Sequence, residues 1–459
     1  MNQQHIVILG AGYAGIRAAK NLLRRSDGIQ VTLIDQGSAH HLLTSLHEAA
    51  SGRVEAQSLV IPLEEIFMNK PIRLVHDRIL AMDLKGKKLS GEKDSYAFDH
   101  LIMASGARAF YNDVPGAKES SYPLDTLEAA LAIRRRLDEP ATREVLISGG
   151  GLTGVELAAD LKAMRPRLTV TLVESKAEIL ADLDASIRRY AAKRLQRLGV
   201  TVLAGHRVTA VEPGGAEVAD RQGDSFHQPG LVIWTTGTRP DWTERVDEAQ
   251  APDLDEALRL RGYANVWVTG DAGDPGWATV ENGLQSADRV TANLLRELDG
   301  EAALAYAPKP RGQMIALGPG DGITTTKIPL KGWPAAALKF LVDLVYLFRI
   351  GGIGPPVNYF NGRLVRPAHQ QTLTGSLLSS RGQRLWLFPL RLYLGSLWLL
   401  EGFKKIIGPQ QFAGAAKLSD YLTIGSDSWL RQGNLNVPFA WLTSADAVSG
   451  ATMAGTNGP

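Results

Sequence analysis

Residues 5–35 read HIVILGAGYAGIRAAKNLLRRSDGIQVTLID, and the order of features in this stretch decides the fold. His5 to Leu9 is a continuous apolar run, Gly10, Gly12 and Gly15 form a G-x-G-x-x-G turn, a helical stretch follows, and a second apolar run ends in Asp35. Apolar runs without alternation belong to strands buried on both faces, and a helix between two of them predicts a parallel sheet. Each glycine has its own task. Gly10 permits the tight turn, Gly12 lets backbone N–H groups approach a pyrophosphate, and Gly15 lets the helix pack close to the strand, with Tyr13 and Ala14 opening that helix beside the ligand. Asp35 lies 20 residues beyond Gly15, where a carboxylate can hold both hydroxyls of an adenosine ribose.

The unit recurs at residues 143–174, REVLISGGGLTGVELAADLKAMRPRLTVTLVE. Gly149, Gly151 and Gly154 form the triplet, Leu152 and Thr153 open the helix, and Glu174 again follows the third glycine by 20 residues. Two dinucleotide sites are therefore expected. Glu174 repels a 2′-phosphate, which favours NADH over NADPH, although Lys176 stands nearby to weaken that preference. Three further strand-like segments end in small residues that can place backbone against a ligand: LIMASGARA (101–109), with Ala104, Ser105 and Gly106; LVIWTTGTRPD (231–241), with Thr236 and Gly237; and NVWVTGDAGD (265–274), with Gly270 and Asp271.

Composition bounds the chemistry. A chain of 459 residues, 44% hydrophobic and 21% charged, suits two or three folded domains with a sizeable core and excludes a disordered or collagen-like protein. It contains 0 cysteines, so disulfides, thiolate metal sites, cysteine nucleophiles and electron transfer through a cysteine pair are all excluded. The histidines are scattered, and His40 with His41 reads as packing rather than a metal site. Charge is unevenly divided: residues 331–459 carry a net +7 and residues 1–330 a net −5. The basic part also holds Trp333, Trp386, Trp398, Trp429 and Trp441, a mixture suited to an anionic membrane surface, where indole prefers the headgroup level. No charged n-region or cleavage site precedes His5, which predicts residence in a reducing, cytoplasmic compartment.

With both glycine loops in place, the chain resembles the two-dinucleotide-binding-domain flavoproteins over roughly residues 5–350. That resemblance implies an α/β fold of two Rossmann-like domains in a glutathione-reductase-like arrangement, plus a C-terminal membrane-associated helical region. The implied division is an FAD-binding domain over 1–112 and 246–330, an NADH-binding domain over 113–245 and a membrane-associated region over 331–459. FAD is expected on the first loop and NADH on the second, with Ala104–Gly106 and Gly237 as the crossovers and Gly270 with Asp271 against the flavin cofactor. Members that need redox cysteines are closed by the composition.

Local stretches are similar to the type II NADH dehydrogenases, single-polypeptide NADH:quinone oxidoreductases. HHLLTSLHEAASG (40–52) is similar to the leucine-rich stretch after the ribose acid, and Leu152 to Glu156 follows that family's Gly-x-Thr-Gly-Val-Glu. The resemblance implies that Glu156 lies by the nicotinamide and flavin, where it positions NADH or relays a proton; a purely structural carboxylate at a helix N-terminus is the alternative. In ATVENGLQSADRVTANLL (278–295), Gln285 matches the second glutamine of a pair that meets flavin and quinone, while Glu281 replaces the first. An ionised carboxylate accepts but cannot donate to a quinone carbonyl. Glu281 is then either protonated there or turned to water or backbone.

Residues 332–350, GWPAAALKFLVDLVYLFRI, predict an amphipathic helix lying in a membrane interface, with Leu338, Leu341, Val342, Val345 and Leu347/Phe348 on one stripe and Lys339 paired with Asp343 on the other face. The run at 385–408 resembles the first helix of DoxX-like membrane proteins and reads as a surface or partly inserted helix. The expected activity is non-pumping transfer of electrons from NADH through FAD to menaquinone or ubiquinone at the cytoplasmic face of a membrane. A second copy of the chain is a further expected partner; nucleic acid is not. Two alternatives stay open: a reductase of a ferredoxin or rubredoxin, and a nicotinamide-sensing binding protein.

Overall fold

The computed structural model describes residues 3–365, apart from Ser26, residues 247–252, residues 274–278 and Lys327. The run at 385–408 and the rest of the chain to Pro459 lie outside the described residues.

In chain order, the elements that position the site are β1 (Gln4–Leu9), α1 (Tyr13–Leu22), β2 (Ile29–Asp35), α2 (Leu46–Ser51), β3 (Ile72–His76), β4 (His100–Met103), β5 (Ala107–Ala109) and β6 (Tyr122–Pro123). They continue with β7 (Glu144–Ser148), α3 (Leu152–Met164), β8 (Thr169–Glu174), β9 (Thr201–Ala204), β10 (Leu231–Trp234), β11 (Thr238–Pro240) and β12 (Val266–Val268). The last are α4 (Val280–Leu298), β13 (Met314–Ala316), β14 (Gly322–Thr324), α5 (Trp333–Gly351) and α6 (Gly354–Phe360).

Two five-stranded parallel sheets carry the architecture, in the orders β12-β4-β1-β2-β3 and β6-β10-β7-β8-β9. In each, the strand that leads into a glycine loop is the third. The core strands are apolar on both faces, as unalternating runs require: Ile6, Val7 and Ile8, and likewise Leu146 and Ile147, are fully buried. The strands β5 and β11 pair antiparallel, joining the chain leaving the first sheet at Gly106 to the chain leaving the second at Gly237. This ribbon fixes the separation of the two strand ends at which ligands bind in open parallel sheets.

α5 begins with Pro334 in its first turn and is bounded by Gly332 and Gly352, both at positive φ (74° and 70°). Proline at the start and glycine at the end delimit it as expected. The Lys339–Asp343 pair forms as its spacing predicts. Lys339 is buried and Asp343 accepts from it at 3.2 Å on the face turned into the protein. Leu347 also points inward, whereas Leu341, Val342, Val345 and Phe348 are exposed. The face that carries the pair is turned to other buried polar groups, Tyr359 among them. Among the described residues, no helix is long and apolar enough to cross a membrane.

Candidate active site

The two glycine loops have the same backbone. Gly10 and Gly149 adopt φ of 104° and 111°, a region that favours glycine. Gly12 and Gly151 both sit at φ −74°, ψ −168° as N-caps without a side-chain cap. A Cβ on Gly15 would stand 1.8 Å from the Gly10 carbonyl oxygen, and one on Gly154 would stand 1.9 Å from that of Gly149. These glycines are therefore demanded by helix–strand packing. By contrast, a Cβ on Gly12 or Gly151 would meet no protein atom within 4 Å, so the space beside each cap is open. The first helical N–H groups face it with a favourable dipole, the combination that holds a phosphate. The residues present thus fit a pyrophosphate at both loops.

The acid that follows each triplet by 20 residues is fastened to its loop. Asp35 accepts from the backbone N–H of Ala11 (2.6 Å) and Gly37 (2.7 Å), and Glu174 accepts from Gly150 (2.7 Å) and Lys176 (2.7 Å). The Lys176 ammonium lies with Asp182 at 2.8 Å, which compensates the charge that weakened the preference for NADH.

The loops differ in cover. Above the first, Tyr13 packs edge-on to His40 at 4.9 Å and contacts Thr44 at 3.3 Å; burial pushes its hydroxyl up to about 12. Above the second, Gly151 and Thr153 are exposed and Leu152 half-buried. The first suits a resident ligand, the second an exchanging one.

Around the first loop, a Cβ on Gly10 would stand 2.4 Å from the Ala104 carbonyl oxygen, so the crossover at Ala104, Ser105 and Gly106 presses against the turn. The Ser105 hydroxyl is buried without a partner, an orphan that a bound flavin nucleotide can satisfy. Gly270, at φ 65°, approaches Ala14 so closely that its Cβ would lie 3.1 Å from that methyl, and its N–H donates to Ser286 Oγ at 3.0 Å. Asp271 follows it in a short helical turn. Ala14, Gly270 and Asp271 are thus brought together beside the N-terminus of α1, while Gly237 at φ 75° directs β11.

Glu156, in the second turn of α3, accepts from the Ala316 N–H at 2.8 Å. Behind it the structure assembles a buried ionisable cluster. His47 has Nδ1 3.8 Å from Glu156 and Nε2 3.7 Å from Asp160, which is one helical turn beyond Glu156. Arg53 binds Asp160 at 2.8 Å and also Glu48, and Arg363 binds Glu48 from the turn after α6. Lys339 and Asp343 enter from α5, and Tyr359 of α6 donates to Asp343 at 2.6 Å. Burial pushes the Glu156 carboxyl up to about 7, against the pull of Lys339 and Arg53. Burial also raises Asp160 and, with Arg53 and Lys339, holds His47 neutral, well below its usual range. A carboxyl titrating near neutrality beside an open loop can hold or release a proton there.

Of these groups the sequence reading named Glu156 and, as a pair on the helix at 332–350, Lys339 and Asp343. His47 and Glu48 fall within the stretch singled out at 40–52, but nothing marked Arg53 or Asp160: an acid and a base 107 residues apart show no spacing signal.

Glu281 and Gln285 share one face of α4 and meet at 2.6 Å. The Gln285 amide is engaged with main chain, donating to the Lys309 carbonyl (2.9 Å) and accepting from the Lys309 N–H (2.9 Å), and Glu281 faces Arg311 at 3.3 Å. In this arrangement both side chains fasten the segment around Lys309 to α4. They are not brought to the Glu156 cluster.

Comparison with known proteins gives a consistent picture. The family described as pyridine nucleotide-disulphide oxidoreductase matches residues 4–287. Type II NADH:quinone oxidoreductases of Staphylococcus haemolyticus and Staphylococcus aureus are each 25% identical over 392 residues, which is 77% of this chain and 97% of theirs. Among solved structures, NDH2 from Plasmodium falciparum in complex with NADH matches with a TM-score of 0.69 at 16% identity, over 80% of this chain and 100% of that one. The sulfide:quinone oxidoreductase from Aquifex aeolicus matches with a TM-score of 0.66 at 17% identity, over 81% and 96% of the two chains.

Proposed function

Because the chain belongs to the pyridine nucleotide-disulphide oxidoreductase family, we propose that it is an FAD-dependent NADH dehydrogenase that delivers electrons to a membrane quinone, menaquinone or ubiquinone, without ion pumping. The observation that carries this reading is the pair of superposable glycine loops, one covered and one open, on sheets joined by the ribbon of β5 and β11. When bound at the first loop, FAD would supply the ring chemistry that takes up hydride from NADH and passes two electrons on.

The chain's own residues do the rest. Gly12 and the first turn of α1 hold the pyrophosphate, Asp35 the ribose, Ser105 and Asp271 the remaining polar part; Gly151 and Glu174 do the same for NADH. Their fixed positions replace an encounter in solution. Glu156 holds or gives up the proton that accompanies quinone reduction, with its affinity set by burial and by Lys339. With 0 cysteines, the disulphide of the family's description has no counterpart, so this chain supplies no thiol relay between the cofactor site and the acceptor. Residues 1–112 with 246–330 form the FAD-binding domain and 113–245 the NADH-binding domain.

The exposed face of α5, with Trp333 74%, Leu341 55% and Phe348 58% exposed, supports peripheral attachment to the cytoplasmic face of a membrane. Apolar residues of this size in water are costly unless a lipid or protein surface receives them. Steady-state NADH oxidation with menaquinone, ubiquinone and a ferredoxin offered side by side tests the reading: turnover with a quinone supports it, and turnover with ferredoxin alone replaces it with the reductase alternative.

A further inference from the structure

α5 reaches the first glycine loop through one hydroxyl. Tyr346 Oη lies 3.0 Å from His40 Nε2, and His40 Nδ1 lies 3.1 Å from the carbonyl oxygen of Ala11, inside the G-x-G-x-x-G turn. A carbonyl only accepts, so Nδ1 carries the ring proton. Nε2 must then accept, and Tyr346 donates. Burial holds His40 down to about 4, so at neutral pH the ring is neutral and this direction is fixed. On its other side Ala11 donates its N–H to Asp35, so the two successive peptide groups that flank Ala11 are held, one by the ribose acid and the other, through His40, by α5. A second tie runs from Lys20 of α1 to the carbonyl oxygens of Arg349 (3.1 Å) and Ile350 at the C-terminal end of α5.

We propose that Tyr346 and His40 are positioning residues for FAD, α5 acting as a latch that holds the Ala11 carbonyl and thereby the pyrophosphate-binding turn. The inference rests on the reading that FAD occupies the first loop. Removing the Tyr346 hydroxyl leaves Nε2 a buried acceptor without a donor. The ring answers by moving its proton to Nε2 or by turning, and either change releases the Ala11 carbonyl. In the second loop the corresponding carbonyl, that of Gly150, accepts from the Leu180 backbone N–H at 2.8 Å rather than from α5, so NADH binding is untouched.

The test uses the full-length holoprotein. FAD is stripped and rebound, and its dissociation constant is read from flavin fluorescence for wild type, Tyr346→Phe, His40→Asn, His40→Leu and a control, Tyr190→Phe, whose hydroxyl is bonded to Asp321. Tyr346→Phe is expected to weaken FAD about tenfold, the scale of one buried hydrogen bond, with NADH affinity unchanged. His40→Asn retains a donor for Ala11 and should hold FAD more tightly than His40→Leu; the control should match wild type. FAD affinity within twofold of wild type in both Tyr346→Phe and His40→Leu overturns the latch, whatever happens to thermal stability. A wild-type chain that binds no FAD overturns the reading of the first loop as well, so the two failures are distinguishable.

Discussion

Alanine at Gly12 and alanine at Gly15 should fail in opposite ways. At Gly15 the new methyl would stand 1.8 Å from the Gly10 carbonyl oxygen, about half an ordinary van der Waals contact, and both partners are backbone. The helix must back away from β1, a loss of the overpacking kind, about 1–3 kcal/mol or more. At Gly12 the methyl meets nothing within 4 Å, and φ −74°, ψ −168° is open to any L-residue. The fold should therefore change by no more than about 1 kcal/mol, set by the N-cap preference. The methyl instead fills the space beside the N–H groups of α1. Losing one charge-assisted hydrogen bond to a phosphate is worth ~1.5–3 kcal/mol, or roughly 10- to 100-fold in FAD affinity. The assay pairs denaturant unfolding of each stripped apoprotein with FAD titration. Gly12→Ala should unfold with wild type yet bind FAD weakly, and Gly15→Ala should lose stability first. A Gly12→Ala protein that keeps wild-type FAD affinity, or a Gly15→Ala protein as stable as wild type, refutes the reasoning about these loops.

Gly151→Ala should raise the dissociation constant for NADH by a similar factor while leaving bound FAD in place, measured by nucleotide titration of the flavin spectrum. Burial pushes the Glu156 carboxyl up to about 7, above the ordinary glutamate range near 4.5. It is therefore neutral for folding below about pH 4.5 and increasingly destabilising as the pH rises to about 7. Glu156→Gln should accordingly gain, by pH 8 relative to pH 4, about 3 kcal/mol over wild type in unfolding free energy. The same variant should lose a pH inflection near 7 in quinone turnover, and a profile identical to wild type would assign Glu156 to scaffolding. Arg53→Met leaves Asp160 and Glu48 buried without their shared partner and should cost about 3–5 kcal/mol by chemical denaturation. Replacing Leu341 and Phe348 with glutamate should release the protein from anionic vesicles in a flotation assay while NADH oxidation with a soluble dye continues; undiminished flotation would rule out α5 as the attachment face.

Both nucleotide cradles were legible in the sequence because each is local: strand, triplet, helix and acid fall within about 30 residues, and the physics of close approach leaves only glycine at three of those positions. The cluster behind Glu156 was not, because it is assembled from α2, α3, α5 and the turn after α6. A helix-face argument reads Asp160, four residues after Glu156, as one more polar position; only the tertiary placement of Arg53 and His47 makes it a buried partner. On α5, periodicity found the apolar stripe and the Lys339–Asp343 pair, but not that Leu347 is buried or that the pair meets Tyr359 and the field of Glu156. Gln285 shows the converse: a residue matched to a ligand-binding motif spends both ends of its amide on the Lys309 backbone.

The central claim is that an electron donor at the open loop reduces a flavin at the covered one. Rapid anaerobic mixing of the purified, FAD-loaded protein with NADH, followed by a quinone, tests it most directly. The flavin absorbance should bleach within the time of one turnover and return when quinone is added. Flavin that stays oxidised under excess NADH, with both nucleotides shown to be bound, would contradict the account.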